Sequence, residues 1–351
     1  MKKILVTGGV GFIGSHVTIS LLEKNYDVVI VDSFLNSSKS FYLRMIELIN
    51  SINPLFKKNL HLYEGDIRNS HFLEKIFLDA KKEDKLIEGV IHLAGLKSVK
   101  ESVNFPLNYW NCNLIGAIRL LEAMDKFNCH CLIFSSSATI YGKNQNLLIN
   151  ENSNINPINP YGFTKATIEF MLQNLFESDK QKWQIANLRY FNPIGAHSSG
   201  LIGENPKGMP NNVFPLINKV ASKEIKKLKI FGNDWNTNDG TCIRDFIHIM
   251  DLADGHIMAL EYFLKMKNSK FLNLNLGTGK PTSILELVET FQKINNVTVP
   301  YDFVNRREGD VERIVADNKL AKKILNWEPK RKISDMCVDG WKWHSTNKNF
   351  C

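Results

Sequence analysis

The sequence predicts an α/β protein in which helices cover a parallel, doubly wound sheet. Three observations favour this class. Short apolar runs alternate with helical patterns through the first half of the chain. The first run, Ile4 to Val6, is apolar throughout, which is typical of a strand buried on both faces. A glycine-rich turn follows this run at once and opens a helical segment with Ile13, Val17 and Leu21 on one face.

The turn after the first strand carries a dinucleotide-binding fingerprint. Gly9, Gly11 and Gly14 match G-x-G-x-x-G, and Gly8 with the last two matches the T-G-x-x-G-x-x-G variant. The glycines let the backbone approach a pyrophosphate, and the N-terminus of the next helix attracts that anion. Asp32 ends the second apolar run, near the spacing of a ribose-binding carboxylate that would repel the 2′-phosphate of NADP. The turn therefore predicts a Rossmann-type NAD site; the alternative is a β-turn-α unit without a ligand.

Further apolar runs predict strands at 60–67, 90–95, 131–137 and 185–190. A helical pattern at 109–127 and a helix beginning at Tyr161 lie between them. In an open α/β sheet the ligands bind outside the carboxyl ends of the strands, where Asp66, Ala94 and Ser137 fall. We therefore expect these residues to meet at one crevice.

After residue 190 the regular alternation is lost, and Gly, Pro and Asn cluster between 195 and 212. We predict a dinucleotide-binding domain over 1–190 and a smaller, mixed α/β substrate-binding domain over 191–351. Segments near 244–264 and 271–277 are expected to return to the first domain.

The charge of the chain argues against a nucleic-acid partner. There are 44 lysines and arginines against 36 acidic residues, a net charge of +8 over 351 residues. The basic residues are scattered and form no stripe beside a recognition motif. This balance suits anionic small molecules such as nucleotides.

The cysteines and the apolar stretches predict a cytoplasmic protein. The six cysteines form no C-x-x-C pair and no zinc-type spacing with histidine, so we expect free thiols and no metal site. The first apolar run is too short for a signal peptide. No apolar stretch approaches the roughly 20 residues that cross a membrane, so no membrane partner is expected.

Tyr161 and Lys165 carry the predicted chemistry. Four residues apart on a helix, they share a face. The pKa of a free tyrosine is near 10, and a neighbouring ammonium or an oxidised nicotinamide ring favours the phenolate and lowers that pKa. Such a tyrosine can take the proton of an alcohol while hydride leaves for a cofactor, and Ser137 can bond the same substrate oxygen. The alternative is an exposed Tyr-Lys pair on a helix surface.

Together, the turn at 7–11, Ser137, Tyr161 and Lys165 resemble the extended short-chain dehydrogenase/reductase family, and within it the members that epimerise nucleotide sugars. Nearly the whole chain shares this resemblance, through stretches at 65–68, 94–97, 135–142, 188–197, 210–212, 230–234, 239–241, 244–248 and 306–310.

The resemblance implies a tightly bound NAD and a UDP-sugar substrate. The implied cofactor contacts are Gly8, Gly11, Phe12, Ile13 and Gly14 at the pyrophosphate turn, Asp32, Asn36 and Ser37 around the ribose, Asp66 and Ile67 beside the adenine, and Leu93, Ala94, Lys97, Ser135, Tyr161, Lys165 and Tyr190 elsewhere. The implied substrate contacts are Ser137, Asn192, Asn212, Val213, Phe231, Arg244, Arg307, Asp310 and Ile314. Surface ion pairing is the alternative for the two arginines.

The implied reaction is reversible C4 epimerisation of UDP-hexoses through a transient 4-keto sugar. Related 4,6-dehydratases and decarboxylases place carboxylates after the serine, where this chain has Ala138 and Thr139. A non-catalytic NAD(H)-sensing protein is an alternative of another class, disfavoured because a sensor needs no Tyr161. The resemblance also implies a homodimer, with the 109–127 pattern as a candidate interface.

Ile314 bears on the range of substrates. At this position, members restricted to plain hexoses often carry a tyrosine, which limits bulk at C2 of the sugar. Isoleucine is smaller, so the sequence raises the hypothesis that N-acetylated UDP-sugars are also accepted. Cys112 is a second departure, since asparagine is frequent there near the cofactor.

Overall fold

A computed structural model describes residues 1–144, 146–208, 210–266, 268–307 and 309–347. Strands and helices alternate through the first half of the chain. In order they are β1 (Lys3–Thr7), α1 (Phe12–Glu23), β2 (Asp27–Asp32), α2 (Lys39–Ile52), β3 (Leu60–Glu64), α3 (Ser70–Lys82), β4 (Ile87–His92), α4 (Val99–Asn104), α5 (Pro106–Tyr109), α6 (Gly116–Lys126), β5 (Cys131–Ser137), α7 (Pro160–Ser178) and β6 (Gln184–Tyr190). Short 3-10 turns cover Pro54–Asn59 and Ala138–Tyr141.

The remaining elements are shorter and less regular. They are β7 (Asn192–Ile194), α8 (Val213–Ala221), β8 (Leu228–Phe231), β9 (Ile243–Arg244), β10 (Phe246–His248), α9 (Ile249–Lys265), β11 (Lys270–Leu276), β12 (Thr282–Ser283), α10 (Ile284–Asn295), β13 (Tyr301–Val304), β14 (Arg313–Ile314), α11 (Lys319–Leu325) and α12 (Ile333–Thr346). No helix in the described ranges is long and apolar enough to cross a membrane.

Seven parallel strands form the central sheet in the order β11-β6-β5-β4-β1-β2-β3. The order reverses at β1, because β2 lies on one side of it and β4 on the other. Ligands of doubly wound folds bind at such a reversal, outside the carboxyl ends of the strands. The predicted fold class is confirmed.

The strands are apolar throughout because helices cover both faces of the sheet. Side chains alternate between the faces along a strand. Val6 and Ile30 therefore pack with α1, α2 and α9 on one face, while Leu5 and Val29 pack with α3, α6 and α7 on the other. This double burial explains the absence of a polar-apolar alternation in the sequence.

A separate core lies among the later elements, between α8, α10 and α12, with Phe214, Phe291 and Met336 at its centre. By contrast, β11 pairs with β6 in the main sheet, and α9 packs on α1. The division at residue 190 stays a prediction; we propose to keep it, with α9 and β11 from the segments 244–264 and 271–277 assigned to the sheet side. Arg244 itself lies in β9, which pairs with β12 and β14 outside the main sheet.

The region predicted as one helix at 109–127 differs from that prediction. A π-helical turn covers Trp110–Ile115, between α5 and α6. The wide turn directs Asn113 inward, where its Oδ1 accepts the Leu96 N–H at 2.8 Å and its Nδ2 donates to the Leu96 carbonyl at 3.1 Å. Such π-helical turns occur frequently at functional sites, and the segment lies beside the loop after β4.

A buried ion pair joins β6 to α7. Arg189 and Glu169 are 2% and 4% exposed, with Nη2 and Oε2 2.6 Å apart. Arg189 Nη1 also donates to the Tyr141 hydroxyl at 3.0 Å and to the Glu151 carbonyl at 2.9 Å. The guanidinium therefore holds together a helix, a strand and two loops.

We predict that Arg189→Met lowers the free energy of unfolding by about 3–5 kcal/mol, since it leaves the Glu169 carboxylate buried without its cation. Urea unfolding followed by circular dichroism measures the loss. Lys227→Met is the matched control, because it removes an exposed ion pair with Asp302 and should cost at most about 1 kcal/mol. Equal losses in the two variants would contradict this account.

Candidate active site

The N-terminus of α7 brings Tyr161 and Lys165 to the carboxyl end of β5. The helix begins where it does because the Asn159 side chain accepts the Gly162 N–H at 2.9 Å and Pro160 occupies the first helical position. Tyr161 is 8% exposed and Lys165 is 4% exposed. The predicted pair is therefore buried, which disfavours the alternative of an exposed surface pair.

Lys165 is held by the strand rather than by the tyrosine hydroxyl. Its Nζ donates to the Ser135 carbonyl at 2.7 Å and lies 5.9 Å from the centre of the Tyr161 ring. The Ser135 hydroxyl in turn bonds the Tyr190 hydroxyl. Four of the predicted residues, Ser135, Tyr161, Lys165 and Tyr190, therefore lie close together at the end of β5.

Burial dominates the proton affinities of this pair. It raises the pKa of Tyr161 to about 12, against the opposing hydrogen bond from Ser137. It lowers the pKa of Lys165 to about 8, opposed by the negative charges of Cys112 and Glu169 in their ionised forms. The expectation that Lys165 lowers the pKa of Tyr161 is therefore wrong for the chain alone, because desolvation of the phenolate outweighs other effects.

Ser137 ends β5 and faces the tyrosine. Its Oγ accepts the Thr139 N–H at 3.2 Å and the Thr139 hydroxyl at 3.0 Å, which begins the 3-10 turn. Thr139 thus serves the backbone turn and the serine, and neither it nor Ala138 supplies a carboxylate beside the site. The serine is placed to bond an oxygen that approaches Tyr161.

Asp32 ties the end of β2 to the glycine turn. Its Oδ2 accepts the Val10 N–H at 2.9 Å, and its Oδ1 accepts the Phe34 N–H at 2.9 Å and the Ser37 hydroxyl at 2.8 Å. Each carboxylate oxygen has capacity for more than one hydrogen bond. The predicted ribose contact is thus fixed in position at the crevice.

The N-terminus of α1 fits an anionic group. Gly11 precedes the helix without a side-chain cap, and no acidic residue occupies the first turn. The amides of Phe12, Ile13 and Gly14 therefore lack the usual internal partners. A Cβ on Gly14 would lie 2.1 Å from the Gly8 carbonyl, whereas one on Gly11 would meet only that oxygen, at 3.2 Å. The turn itself requires Gly14, and Gly11 leaves the outer side open to a pyrophosphate.

The other side of the crevice is the loop after β4. The Leu93 N–H bonds the Thr7 carbonyl at 3.1 Å, and the Ala94 N–H bonds Thr7 Oγ1 at 3.2 Å. Thr7 Oγ1 also lies 2.7 Å from His92 Nδ1, and burial lowers the pKa of His92 to about 3, so the ring is neutral. Sequence reasoning assigned no role to His92, since a single buried histidine has no distinctive spacing.

The predicted adenine contacts lie beside a cavity of about 380 Å³, which is lined by Leu35, Asn36, Arg68, Leu96, Glu101, Asn108, Asn111 and Cys112. The Asp66 carboxylate accepts the Arg68 Nε at 3.0 Å, and this hydrogen bonding lowers the pKa of Asp66. Ile67 is buried against Gly116. Sequence reasoning missed Arg68 as a lining residue, although it lies in the stretch quoted for the resemblance.

Two arginines converge on one carboxylate on the substrate side. Arg307 Nη2 lies 2.8 Å from Asp310 Oδ1, and Arg244 Nη2 lies 3.8 Å from the same oxygen. Arg244 also donates to the Ile243 and Val311 carbonyls, and the Arg307 guanidinium lies 5.4 Å from the centre of the Phe231 ring. Arg244 is 14% exposed and Arg307 is 53% exposed, so only Arg307 is exposed enough for surface ion pairing to stay an alternative.

The remaining predicted substrate contacts lie in or next to three elements. Asn192 begins β7, Asn212 precedes α8, Val213 begins α8, and Ile314 lies in β14, paired with Arg244 of β9. The Asn212 side chain donates to Glu204 Oε1 instead of capping its helix, and Lys97 Nζ bonds the same oxygen at 3.0 Å. No group of three metal-ligating side chains occurs among the described residues.

Three side chains that sequence reasoning left without a role support the site. Asn113 Nδ2 donates to the Thr164 hydroxyl at 3.0 Å, and that hydroxyl donates to the Tyr161 carbonyl at 2.8 Å. Asn113 thereby links the loop after β4 to the helix that carries Tyr161. Glu204 links two predicted ligand contacts. These links join residues distant in the chain, so no local pattern could have revealed them.

The family model described as GDP-mannose 4,6 dehydratase matches residues 5–339. UDP-glucose 4-epimerase of Bacillus subtilis (strain 168) is 44% identical over 346 residues, covering 99% of this chain and 98% of that protein.

Two solved structures share the fold throughout. UDP-glucose 4-epimerase from Stenotrophomonas maltophila, with bound NAD and formylated UDP-arabinopyranose, has a TM-score of 0.93 at 38% identity and covers 100% of both chains. The enzyme from Bifidobacterium longum, in complex with NAD⁺ and UDP, has a TM-score of 0.90 at 40% identity and covers 99% of both. The chain belongs to the UDP-glucose 4-epimerases, within the extended short-chain dehydrogenase/reductase family.

Proposed function

We propose that this chain catalyses the reversible, NAD-dependent epimerisation of UDP-galactose and UDP-glucose at C4, through a transient 4-keto sugar. The observation that carries the proposal is the buried arrangement of Ser137, Tyr161 and Lys165 at the carboxyl end of β5. This group lies at the same sheet edge as the crevice in which Asp32 is bonded to the glycine turn. The solved relatives bind NAD together with UDP or a UDP-sugar, which supports the same pair of ligands here.

Tyr161 is the proton-transfer group of this mechanism. Its Oη takes the proton of the sugar 4-hydroxyl and returns it after inversion, while the Ser137 hydroxyl bonds the same sugar oxygen. When bound, oxidised NAD accepts hydride from C4, returns it to the opposite face, and adds the positive charge that lowers the pKa of Tyr161. The Lys165 ammonium is fixed beside this site by its hydrogen bond to the Ser135 carbonyl.

The two arginines anchor the UDP part of the substrate. A guanidinium bonds two phosphate oxygens at once, and Asp310 holds Arg244 and Arg307 toward one position. Anchoring at the diphosphate leaves the sugar itself loosely held. That freedom is required, since the 4-keto sugar must present its other face before hydride returns.

The site around Ser137, Tyr161 and Lys165 disfavours both alternative functions, a dehydratase and a non-catalytic sensor. A 4,6-dehydratase needs an acid and a base beside the reacting sugar, and Ala138 and Thr139 supply neither; the Thr139 hydroxyl donates to Ser137. A non-catalytic sensor of NAD(H) would not require a buried tyrosine next to a serine and a lysine. The epimerase assignment accounts for all three side chains.

We predict that the purified protein converts UDP-galactose to UDP-glucose without added cofactor, because NAD is regenerated in each turnover. Chromatography of the nucleotide sugars measures the conversion. Tyr161→Phe should retain bound NAD but lose about 10²–10⁴-fold in rate, the contribution of a positioned acid-base group. Formation of a 4-keto-6-deoxy product, or a Tyr161→Phe variant with parental activity, would sink the assignment.

We also propose that N-acetylated UDP-sugars are accepted. Ile314 is partly exposed and pairs with Arg244 in neighbouring strands, so its side chain lies near the proposed diphosphate anchor. A branched aliphatic group there leaves more room than a tyrosine ring and offers no hydroxyl to the sugar.

We therefore expect measurable epimerisation of UDP-N-acetylgalactosamine, and Ile314→Tyr should lower its kcat/KM by about tenfold or more relative to UDP-galactose, the scale of a pocket that rejects bulk. Initial rates on both substrates give the ratio. No detectable turnover of the N-acetylated sugar by the parent protein would contradict the extension.

We propose a homodimer that pairs the α5–α7 faces of two copies. Leu107 on α5 is 79% exposed, and Phe170 on the neighbouring α7 is 53% exposed. Between α6 and α7 lies an apolar groove lined by Ile118, Leu121, Glu122, Asp125, Met171, Leu175 and Trp183. An exposed apolar face of this kind suits a self-complementary twofold interface.

Leu107→Lys combined with Phe170→Lys should convert this dimer to a monomer, because burying either ammonium at the interface is costly. Sedimentation velocity measures the mass. Leu55→Lys is the matched control, since Leu55 is 62% exposed on a different surface and its replacement should leave the dimer intact. A parent protein that sediments as a monomer would refute the interface.

We propose a cytoplasmic location because the described cysteines are free thiols. The cysteines within the described residues are all free, and four of the five are buried. Cys129 and Cys131 lie close in sequence without a disulfide, which suits a reducing compartment.

A further inference from the structure

A short segment of the substrate side crosses to the dinucleotide side and contacts it at two places. We call this segment the strap and define it by Glu204, Lys207, Asn211 and Asn212. One contact is on the loop after β2, and the other is on the loop after β4. In the sheet these two strands flank β1, which leads into the glycine turn. The strap therefore has anchors on both sides of the predicted pyrophosphate position.

The beginning of the strap is fixed by close packing, since Ala196, Ile202 and Trp343 belong to the core that covers one face of the main sheet. Gly203 forms an antiparallel bridge with Ala196, and the Trp343 Nε1 of α12 donates to the Glu204 carbonyl at 3.2 Å. A Cβ on Gly203 would lie 2.4 Å from the Trp343 ring. This tight packing gives the strap a firm base, from which Glu204 reaches the loop after β4 and Lys207 reaches the loop after β2.

Lys207 supports the loop that carries the ribose contacts. Its Nζ donates to the Phe34 carbonyl at 2.7 Å and to the Leu35 carbonyl at 3.0 Å. Phe34 has a φ of +54°, a left-handed conformation that is unfavourable for a bulky side chain. The Phe34 N–H is held by Asp32, so its strained peptide is fixed on one side by the ribose carboxylate and on the other by Lys207.

Glu204 supports the opposite side of the crevice. Its side chain is 9% exposed, and its Oε1 accepts Lys97 Nζ at 3.0 Å and Asn212 Nδ2 at 3.1 Å. The residue before Asn212, Asn211, donates from its Nδ2 to the Ser98 hydroxyl at 3.2 Å. One carboxylate oxygen thus joins a residue proposed to line NAD to a residue proposed to grip UDP.

We propose that the strap retains the dinucleotide, with Glu204 and Lys207 as the positioning residues that close it over the glycine turn. This inference rests on the proposed NAD-dependent function. Neither residue touches the reacting atoms: Lys207 acts through the Phe34–Leu35 backbone and Glu204 acts through Lys97. The cofactor can then leave only when at least one anchor releases, so the anchors govern how fast NAD exchanges.

The test measures NAD content and exchange in the whole protein. Bound NAD is quantified after gel filtration and denaturation, and its replacement is followed with isotopically labelled NAD. Lys207→Met and Glu204→Ala should each speed exchange by about ten- to a hundredfold, the scale of one lost charge-assisted hydrogen bond. The kcat per bound NAD of Lys207→Met should stay within about twofold of the parent, since Lys207 contacts neither the reacting atoms nor a proposed UDP contact.

Conservative variants separate positioning from general stability. Lys207→Arg keeps a cation that can donate to both carbonyls, and Glu204→Gln keeps an acceptor for Asn212, so both should restore slow exchange at least partly. Lys227→Met, which removes an exposed ion pair within the substrate side, should exchange NAD at the parental rate. Thermal unfolding of each variant identifies any that fails to fold.

The outcomes separate the strap from the function. If the parent holds NAD and epimerises while Lys207→Met and Glu204→Ala exchange at its rate, only the strap is overturned. Faster exchange in Lys227→Met than in Lys207→Met would overturn it as well. A parent protein that neither binds NAD nor epimerises would overturn both the proposed function and the strap that rests on it.

Discussion

The parallel pairing of β1 with both β2 and β4 is the constraint on which the rest of the structure depends. Because the three strands run in the same direction, the loops that follow them emerge at one edge of the sheet. The glycine turn, the Asp32 loop and the loop after β4 therefore lie side by side, although β1, β2 and β4 end at Thr7, Asp32 and His92 in the chain. The helix faces that cover the sheet are apolar for the same reason, since both sides of every central strand are buried.

Burial then decides the chemistry of the groups at that edge. In the interior a charge is costly unless it is paired or hydrogen-bonded. The chain meets this requirement for Arg189 with a carboxylate, and for Lys165 with the Ser135 carbonyl. For Tyr161 the Ser137 hydrogen bond opposes desolvation only in part, so burial raises the pKa of the phenol to about 12. In the proposed mechanism, the positive charge of a bound oxidised nicotinamide would favour the Tyr161 phenolate, so the cofactor would assist proton transfer as well as carry hydride.

Several parts of the site were predictable because local patterns encode them. The spacing of Gly8, Gly11 and Gly14 follows from steric limits within one turn, and Tyr161 and Lys165 share a face through helical periodicity. The links that hold these motifs could not be predicted in this way. Asn113 bonds Leu96 and Thr164, Glu204 bonds Lys97 and Asn212, and Asp66 is occupied by Arg68. The Asn113–Leu96, Asn113–Thr164 and Glu204–Lys97 bonds join residues far apart in the chain, and all of these bonds depend on side-chain positions that only the folded structure sets.

By itself, the sequence determined the fold class, the dinucleotide turn and the residue types available for proton transfer, because these depend on patterns a few residues long. The tertiary structure decided three further matters. Burial raised the pKa of Tyr161, against the expectation from its spacing to Lys165, and it lowered the pKa of Lys165. The 109–127 region became a helix interrupted by a π-helical turn. Glu204 and Lys207 met the loops after β4 and β2, since contacts between residues far apart in the chain arise only when folding brings each partner within hydrogen-bonding distance.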